Sequence, residues 1–119
     1  MTKVRRAVGE YGEHVAERYL TAAGLVVLNR NWRCSEGEID LVLRDGDDVV
    51  FCEVKTRRGD TFGRPAEAIR WQKVRRLRRL AACWLAETEV HPHEVRFDVV
   101  EVMPQPQGAA MVEHIRAAF

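Results

Sequence analysis

Residues 37–57, GEIDLVLRDGDDVVFCEVKTR, alternate apolar and polar side chains on both sides of the turn sequence DGDD. A period of two that is interrupted by a glycine-containing turn is typical of an antiparallel β-hairpin. A two-residue loop at Gly46 and Asp47 and a four-residue loop over DGDD give the same register, which pairs Asp40 with Glu53. The turn therefore predicts that the two acids within the apolar runs meet each other.

Asp40 and Glu53 are expected on one face of the hairpin, with the core on the other face. Directly opposed residues have Cβ atoms about 4.5–5.5 Å apart. Two carboxylates about 5 Å apart repel by roughly 3 kcal/mol at an effective dielectric constant near 20. A shared proton, a nearby lysine or a divalent cation such as Mg²⁺ or Mn²⁺ would relieve this repulsion. The predicted core face comprises Ile39, Leu41, Leu43, Val50, Cys52 and Val54.

Lys55 lies two residues beyond Glu53, and therefore on the same predicted face, diagonal to Asp40. The chain contains sixteen Arg but only three Lys. Because Arg stays protonated whereas the pKa of Lys is readily tuned, Lys55 is a candidate for a role that Arg cannot fill. The same register sets Lys55 opposite Glu38, so an ordinary cross-strand ion pair is the alternative interpretation.

One helix is predicted on each side of the hairpin in the sequence. The first carries apolar residues at helical spacing and ends near Gly24. A helical wheel places Glu13 about 160° from Val15, well off this apolar stripe. The second helix is expected to begin at Pro65. The predicted apolar positions are Val8, Tyr11, Val15, Tyr19 and Ala22 in the first helix and Ile69, Val74, Leu77, Leu80, Ala81 and Trp84 in the second.

Three more strands are predicted outside the hairpin. Residues 25–29 form the first and are followed by a polar loop that contains Trp32, and residues 94–102 and 111–115 form the others. The resulting order α-β-β-β-α-β-β predicts an α/β fold, with a mixed sheet flanked by helices. At 119 residues the chain is long enough for one core and too short for two, so a single domain over residues 1–119 is expected.

The net charge of +1 conceals a basic segment, because residues 54–79 hold ten Lys/Arg and only two Asp/Glu. Such a segment favours a polyanion-binding surface, with a solvated helix face as the alternative. Lys73 and Arg70 fall within the apolar sector of the second helix, where they either snorkel past the core or reach a bound phosphate. Trp71 lies off that stripe, and either stacks on an unpaired base or packs on arginine side chains.

Several classes of protein are disfavoured by the composition. No apolar run is long enough to span a bilayer, and residues 1–20 contain no apolar signal segment, so a cytoplasmic location without membrane contact is expected. Cys34, Cys52 and Cys83 form no CxxC pair, which argues against a disulfide framework or a structural zinc site. The HPHE segment, at residues 91–94, lies among turn-forming residues and is interpreted as a loop.

The segments GEYGEHVAERYL, LNRNWR, GEIDLV, VVFCEVKTR, FGRPAEAI, the helix with Lys73, and RFDVV span nearly the whole chain. In this order they resemble the YraN-like family of uncharacterised bacterial proteins. Asp40 followed by Glu53-Val54-Lys55 is similar to the motif of the PD-(D/E)XK nuclease superfamily, which includes restriction endonucleases and Holliday-junction resolvases. The resemblance implies a restriction-endonuclease-like α-β-β-β-α-β core.

The resemblance also implies roles for individual residues. Asp40, Glu53 and the Val54 carbonyl would bind Mg²⁺ or Mn²⁺. Lys55 would position or deprotonate the attacking water and stabilise the transition-state charge. Glu13 matches the accessory acid of the superfamily, although its position off the apolar stripe is equally that of a solvated glutamate. The basic residues expected to contact nucleic acid are Arg57, Arg58, Arg64, Arg70, Lys73 and Arg76.

The function expected from these features is Mg²⁺-dependent hydrolysis of nucleic-acid phosphodiesters by an endonuclease that acts on branched or single-stranded structures. A non-catalytic nucleic-acid-binding or scaffold protein that retains the nuclease fold is the first alternative. A protein-interaction domain with an acidic partner is the second. Asp40, Glu53 and Lys55 together favour the enzyme, because binding alone needs no opposed acids. DNA is the expected partner, but the sequence distinguishes neither DNA from RNA nor a monomer from a homodimer.

Overall fold

The computed structural model describes residues 3–57 and 71–119. Within these residues, two helices and five strands follow each other in the predicted order, which confirms the α/β class and the α-β-β-β-α-β-β arrangement. The elements are α1 (Lys3–Ala22), β1 (Val26–Cys34), β2 (Gly37–Asp45), β3 (Asp48–Thr56), α2 (Trp71–Thr88), β4 (Val95–Met103) and β5 (Met111–Ile115).

The five strands form one mixed sheet in the order β1-β2-β3-β4-β5. β3 and β4 run parallel, and the other neighbouring pairs are antiparallel. The helices lie on opposite faces, because α1 shares an apolar cluster with Cys52 and Val100 while α2 shares another with Phe51 and Phe97. The core therefore has two layers, one on each side of the sheet.

The hairpin of β2 and β3 has the predicted register, including the pair of Val42 with Phe51. Its turn needs a residue with positive φ, which Gly46 supplies at 61°. The second helix also follows its predicted pattern, because its buried residues are those expected from the sequence. They are Val74, Leu77, Leu80, Ala81 and Trp84. The predicted helix start at Pro65 and the apolar position Ile69 lie outside the described residues.

The predicted apolar stripe of α1 is wrong in part. Tyr11 and Tyr19 are each 44% exposed, and the residues that α1 buries completely are Gly12, Ala16 and Leu20. A Cβ atom built on Gly12 would lie 1.7 Å from Oγ1 of Thr56. The helix therefore approaches β3 through its smallest side chains, and not through the tyrosines that a count of apolar residues selects.

The predicted polar loop around Trp32 is also wrong, because β1 continues through it to Cys34. Within the strand Asn31 adopts a φ of 48°, at a gap in the pairing of β1 with β2. Asn is among the few residues other than Gly that adopt this conformation readily. Trp32 contacts the apolar cluster under α2.

A buried ionic network fastens β5 to the rest of the sheet. The side chain of Asp98 is 0% exposed, and Arg96 donates hydrogen bonds of 2.9 and 3.0 Å to its two oxygens. His114 lies 2.7 Å from the same carboxylate, and the Ala117 N–H donates to it at 3.0 Å. Burial raises the pKa of Asp98, but these hydrogen bonds outweigh burial and hold that pKa below its usual value. Arg96 also bonds Asp45 at 2.9 Å, which joins β4 to the hairpin turn.

Within the described residues, neither helix is long and apolar enough to cross a membrane. Cys34, Cys52 and Cys83 are free thiols. Burial raises the pKa of the Cys52 thiol well above its usual value, so this residue behaves as the small apolar core residue expected from its position.

The close approach at Gly12 can be tested against another glycine of the same helix. Gly12→Ala should destabilise the protein by about 2 kcal/mol, because the added methyl group must displace α1 or Thr56. Gly9→Ala is the matched control, since its Cβ would meet nothing within 4 Å. That variant should be neutral or up to about 1 kcal/mol more stable, because Ala favours helix. Urea unfolding distinguishes the two, and equal midpoints would contradict the role given to Gly12.

Candidate active site

The site lies where β2 separates from β3. Their ladder ends at the pair of Leu41 with Cys52, whereas β3 continues beside β4 as far as Thr56. At this point the Val54 N–H donates a hydrogen bond of 2.8 Å to Oδ2 of Asp40. The Asp40 carboxylate therefore serves as the acceptor that a β2 carbonyl would otherwise provide, and it lies between the two strands.

This separation corrects the predicted face of two residues. Ile39 packs under α2, although Leu41 packs under α1. Because residues two apart in a regular strand face the same side, β2 must rotate about its axis at Asp40. The predicted pairing of Asp40 with Glu53 on one face is therefore not formed, because the ladder ends at Leu41 and Cys52. Its carboxylate lies in the opening between the strands, while Glu53 projects toward α2.

The electrostatic environment of Asp40 disfavours its charged form. Burial raises the pKa of Asp40 to about 6, although the hydrogen bond from Val54 lowers it. The carboxylates of Glu13, Glu53 and Glu38 raise this pKa further. Asp40 is consequently a carboxylate whose ionisation at neutral pH costs free energy, and a neighbouring cation would reverse that cost.

Glu53 has lysines as its counterions. Its side chain is 15% exposed, and Nζ of Lys73 lies 2.5 Å from Oε1. Nζ of Lys55 lies 3.6 Å from the same oxygen. The other oxygen, Oε2, is buried and has no hydrogen-bond partner among the described residues. Both lysines therefore approach one side of the carboxylate, and no group in the described part of the chain satisfies the acceptor on the other side.

Lys55 is perturbed in the direction that suits a proton acceptor. Burial lowers the pKa of Lys55, and so does the adjacent Lys73 side chain, while Glu53 acts in the opposite direction. The alternative ion pair with Glu38 is not formed, because Glu38 pairs with Arg33 at 3.1 Å. A lysine with a lowered pKa provides more neutral amine near neutral pH than an ordinary surface lysine.

Glu13 lies closer to the site than the sequence pattern suggested. With α1 buried along Gly12, Ala16 and Leu20, the helical wheel places Glu13 only about 60° from Ala16. Its Oε1 accepts a hydrogen bond of 3.1 Å from the amide of Asn31. Glu13 lines a cavity of about 230 Å³ together with Asp40. It lines a larger cavity of about 540 Å³ together with Val54 and Thr56.

The predicted nucleic-acid contacts are only partly described. Arg57 directly follows β3, and its N–H donates to the Val102 carbonyl at 2.9 Å. Lys73 forms an ion pair with Glu53. In this structure its side chain therefore adopts neither of the two predicted positions, in solvent or on a bound phosphate. Arg76 is exposed on α2, near Gly37 at the turn between β1 and β2. Arg58, Arg64 and Arg70 lie outside the described residues.

Sequence reasoning missed two residues of this site. Glu101 is 4% exposed and aligns with Lys55 in the parallel ladder of β3 and β4. Because Phe97 packs under α2, the period of two in RFDVVEV already predicts that Glu101 shares that face. The second is Asn31, whose amide donates to both Glu13 and Glu38. Its role depends on a local departure from strand geometry that no periodicity predicts.

The oxygen donors fit a hard divalent cation. The buried, unsatisfied Oε2 of Glu53 and the raised pKa of Asp40 are both features that such a cation would relieve. No three His, Cys, Asp or Glu side chains within residues 3–57 and 71–119 are grouped closely enough to hold a metal ion. A cation would therefore be held by the two carboxylates, a main-chain carbonyl such as that of Val54, and water.

The fold and site together define an α/β protein with a buried acid and lysine cluster at the point where two central strands separate. Residues 12–102 match the model of the uncharacterised protein family UPF0102, and the chain belongs to this family. A UPF0102 protein of Frankia alni is 58% identical over 117 residues, which cover 98% of each chain. A second, of Beutenbergia cavernae, is 57% identical over 114 residues, which cover 96% of this chain and 97% of the relative. The resemblance to YraN-like proteins is thereby confirmed.

The raised pKa of Asp40 predicts a pH-dependent loss of stability. A carboxyl group whose pKa is higher in the folded state contributes stability below its unfolded pKa of 3.8, and loses it as the pH rises through about 6. Asp40→Asn keeps an acceptor for Val54 but cannot ionise. In chelator, the stability of the variant relative to wild type should increase by about 2 kcal/mol between pH 4 and pH 7.5. Urea unfolding at several pH values measures this difference, and a constant difference would contradict it.

Proposed function

We propose that this protein is a metal-dependent endonuclease that hydrolyses phosphodiester bonds of nucleic acid, within the PD-(D/E)XK superfamily. The observation that carries the proposal is the environment of Glu53. Its carboxylate is largely buried and bonded to Lys73 at one oxygen, and its other oxygen has no partner within the described part of the chain. A site with only a structural role would be more stable if this acceptor were satisfied or replaced by an apolar group.

In the proposed activity, Asp40, Glu53 and the Val54 carbonyl hold Mg²⁺ or Mn²⁺. When bound, such a cation polarises a phosphoryl oxygen and lowers the pKa of water. Lys55 accepts a proton from the attacking water or orients it, which agrees with the lowered pKa of Lys55. Glu13 orients water from the α1 side of the strand opening, because it lines the same cavity as Asp40.

A non-catalytic nucleic-acid-binding protein is the second candidate. The observation that favours it is the ion pair of Lys73 with Glu53, because a lysine already neutralises one oxygen of the proposed metal ligand. The two candidates differ in what they require of Asp40. Binding alone does not need a carboxyl group whose burial opposes its charge, whereas metal binding supplies the missing cation.

Removal of a proposed ligand should separate metal binding and cleavage from nucleic-acid binding. Asp40→Asn and Glu53→Gln keep the side-chain shapes but delete charges that hold a cation. Mn²⁺ at ten times its Kd stabilises wild type by about 1.4 kcal/mol, which should raise the melting temperature by several degrees and leave the variants unchanged. Cleavage of branched, flapped and single-stranded DNA and RNA should fall by at least about 100-fold in the variants.

Glu36→Gln is the matched control, since Glu36 is an exposed acid that pairs with Arg79 at 3.3 Å on the turn between β1 and β2. This variant should keep both the metal response and the cleavage of wild type. If millimolar Mg²⁺ and Mn²⁺ leave wild-type melting unchanged and no substrate is cut, the enzyme proposal fails. The binding protein is then the better description.

Binding itself should depend steeply on salt. Each phosphate that Lys or Arg neutralises contributes a slope of about −0.7 to −0.9 to the plot of log affinity against log salt. Arg57→Gln and Arg76→Gln should each reduce the slope by one such increment, and Arg44→Gln, at the far end of the hairpin, should not. Fluorescence anisotropy with labelled oligonucleotides measures the slope. A slope near zero would favour an acidic protein as the partner.

A further inference from the structure

The outward face of α2 presents an exposed tryptophan within a row of arginines. Trp71, Arg75 and Arg78 are spaced by four and three residues, which places them on one side of the helix. Trp71 is 65% exposed, whereas Trp84 on the inward side is 2% exposed. Apolar surface of this size is costly to leave in water, so the position of Trp71 is a feature that its own packing does not account for.

Within the described residues, the ring of Trp71 is covered by one arginine side chain. The guanidinium carbon of Arg75 lies 5.7 Å from the centroid of the indole. A cation in this position restrains the ring through a cation–π contact and covers one of its two faces. With 65% of the residue exposed, the remaining surface is accessible to a planar ligand. A nucleobase could stack on the ring face opposite Arg75, so that the indole would lie between the base and the guanidinium group.

The chemistry of this face fits unpaired nucleic acid better than an acidic protein. Arginines alone satisfy the carboxylates of an acidic partner, and an exposed indole adds nothing specific to that interaction. A single strand presents both phosphates and accessible base faces, and stacking on an aromatic ring accepts any base. In a duplex the base faces are covered by neighbouring pairs, so the ring would find no partner there.

The same helix links this face to the candidate active site. Lys73 follows Trp71 by two residues, about 3 Å along the helix axis, and its Nζ lies 2.5 Å from Glu53. The side chains of Trp71 and Lys73 project from different sides of the helix. A strand bound to Trp71 on the outward face would therefore lie beside the turn of α2 from which Lys73 reaches the site.

We propose that the outward face of α2 binds a single-stranded segment of nucleic acid, with one base stacked on Trp71 and the adjoining phosphates on Arg75 and Arg78. This proposal deepens the proposed function, on which it rests for its biological meaning, by assigning unpaired nucleotides to the substrate beside the cleaved bond. The stacking itself requires no cleavage and can be measured without metal.

Tryptophan fluorescence tests the stacking directly, because Trp84 is buried and Trp32 is partly buried. In EDTA, an oligothymidylate of fifteen nucleotides should quench the tryptophan emission of wild type, and a blunt-ended duplex of the same length should not. Trp71→Phe should lose this quenching yet keep its affinity within about threefold, since phenylalanine also stacks. Trp71→Ala should bind the single strand about 10- to 100-fold more weakly, and Arg44→Gln should behave as wild type.

Three results would overturn the proposal. They are equal quenching by duplex and single strand, equal affinity of Trp71→Ala and wild type, and quenching of the same strength by polyglutamate. Asp40→Asn separates the proposal from the proposed enzyme, because this variant should retain full quenching while losing cleavage. Quenching without any cleavage in wild type would support the stacking face and reject the nuclease, and cleavage without quenching would do the reverse.

Discussion

The hydrogen bond from the Val54 N–H to the Asp40 carboxylate is the interaction on which the site depends. β3 loses one of its two neighbours along its length, since its pairing with β2 ends at Cys52 while its pairing with β4 continues to Thr56. A strand that loses a neighbour inside a sheet leaves buried main-chain groups without partners, at a cost of about 1–3 kcal/mol each. The Asp40 carboxylate supplies the missing acceptor for the Val54 N–H. The two strands can therefore separate at the candidate active site without leaving this donor unpaired.

The opening determines how charge is distributed around it. Asp40 accepts a hydrogen bond from the main chain of β3, and Glu53 contacts Lys73 of α2, so the two acids do not form a pair of the β2–β3 ladder. Lys55 and Lys73 both contact Oε1 of Glu53. The sequence left a shared proton, a nearby lysine or a divalent cation as ways to compensate the acids. In the structure, lysines compensate Glu53. Neither lysine forms an ion pair with Asp40 within the described residues, and burial, together with the nearby glutamates, raises the pKa of Asp40.

How much could be predicted from the sequence depended on how local each feature is. The hairpin register follows from DGDD, and the buried stripe of α2 follows from its helical spacing, so both were predicted correctly. The stripe of α1 was wrong because contact with β3 selects small residues such as Gly12, whereas a hydrophobicity pattern selects Tyr11 and Tyr19. The predicted face of Ile39 was wrong because β2 rotates at Asp40. The contact of Lys73 with Glu53 joins distant segments, and no local pattern contains it.

Family membership and site geometry contribute different things to the functional argument. The family relationship establishes that the arrangement of segments is shared with UPF0102 proteins, and it carries no activity with it. The geometry adds a physical asymmetry, since Glu53 is neutralised on one oxygen and has no hydrogen-bond partner on the other within residues 3–57 and 71–119. A buried ion pair that is needed only for stability gains from complete satisfaction of both partners. Incomplete satisfaction next to Asp40, whose charge is disfavoured, is instead what a site requires if its final ligand is a cation that arrives from solution.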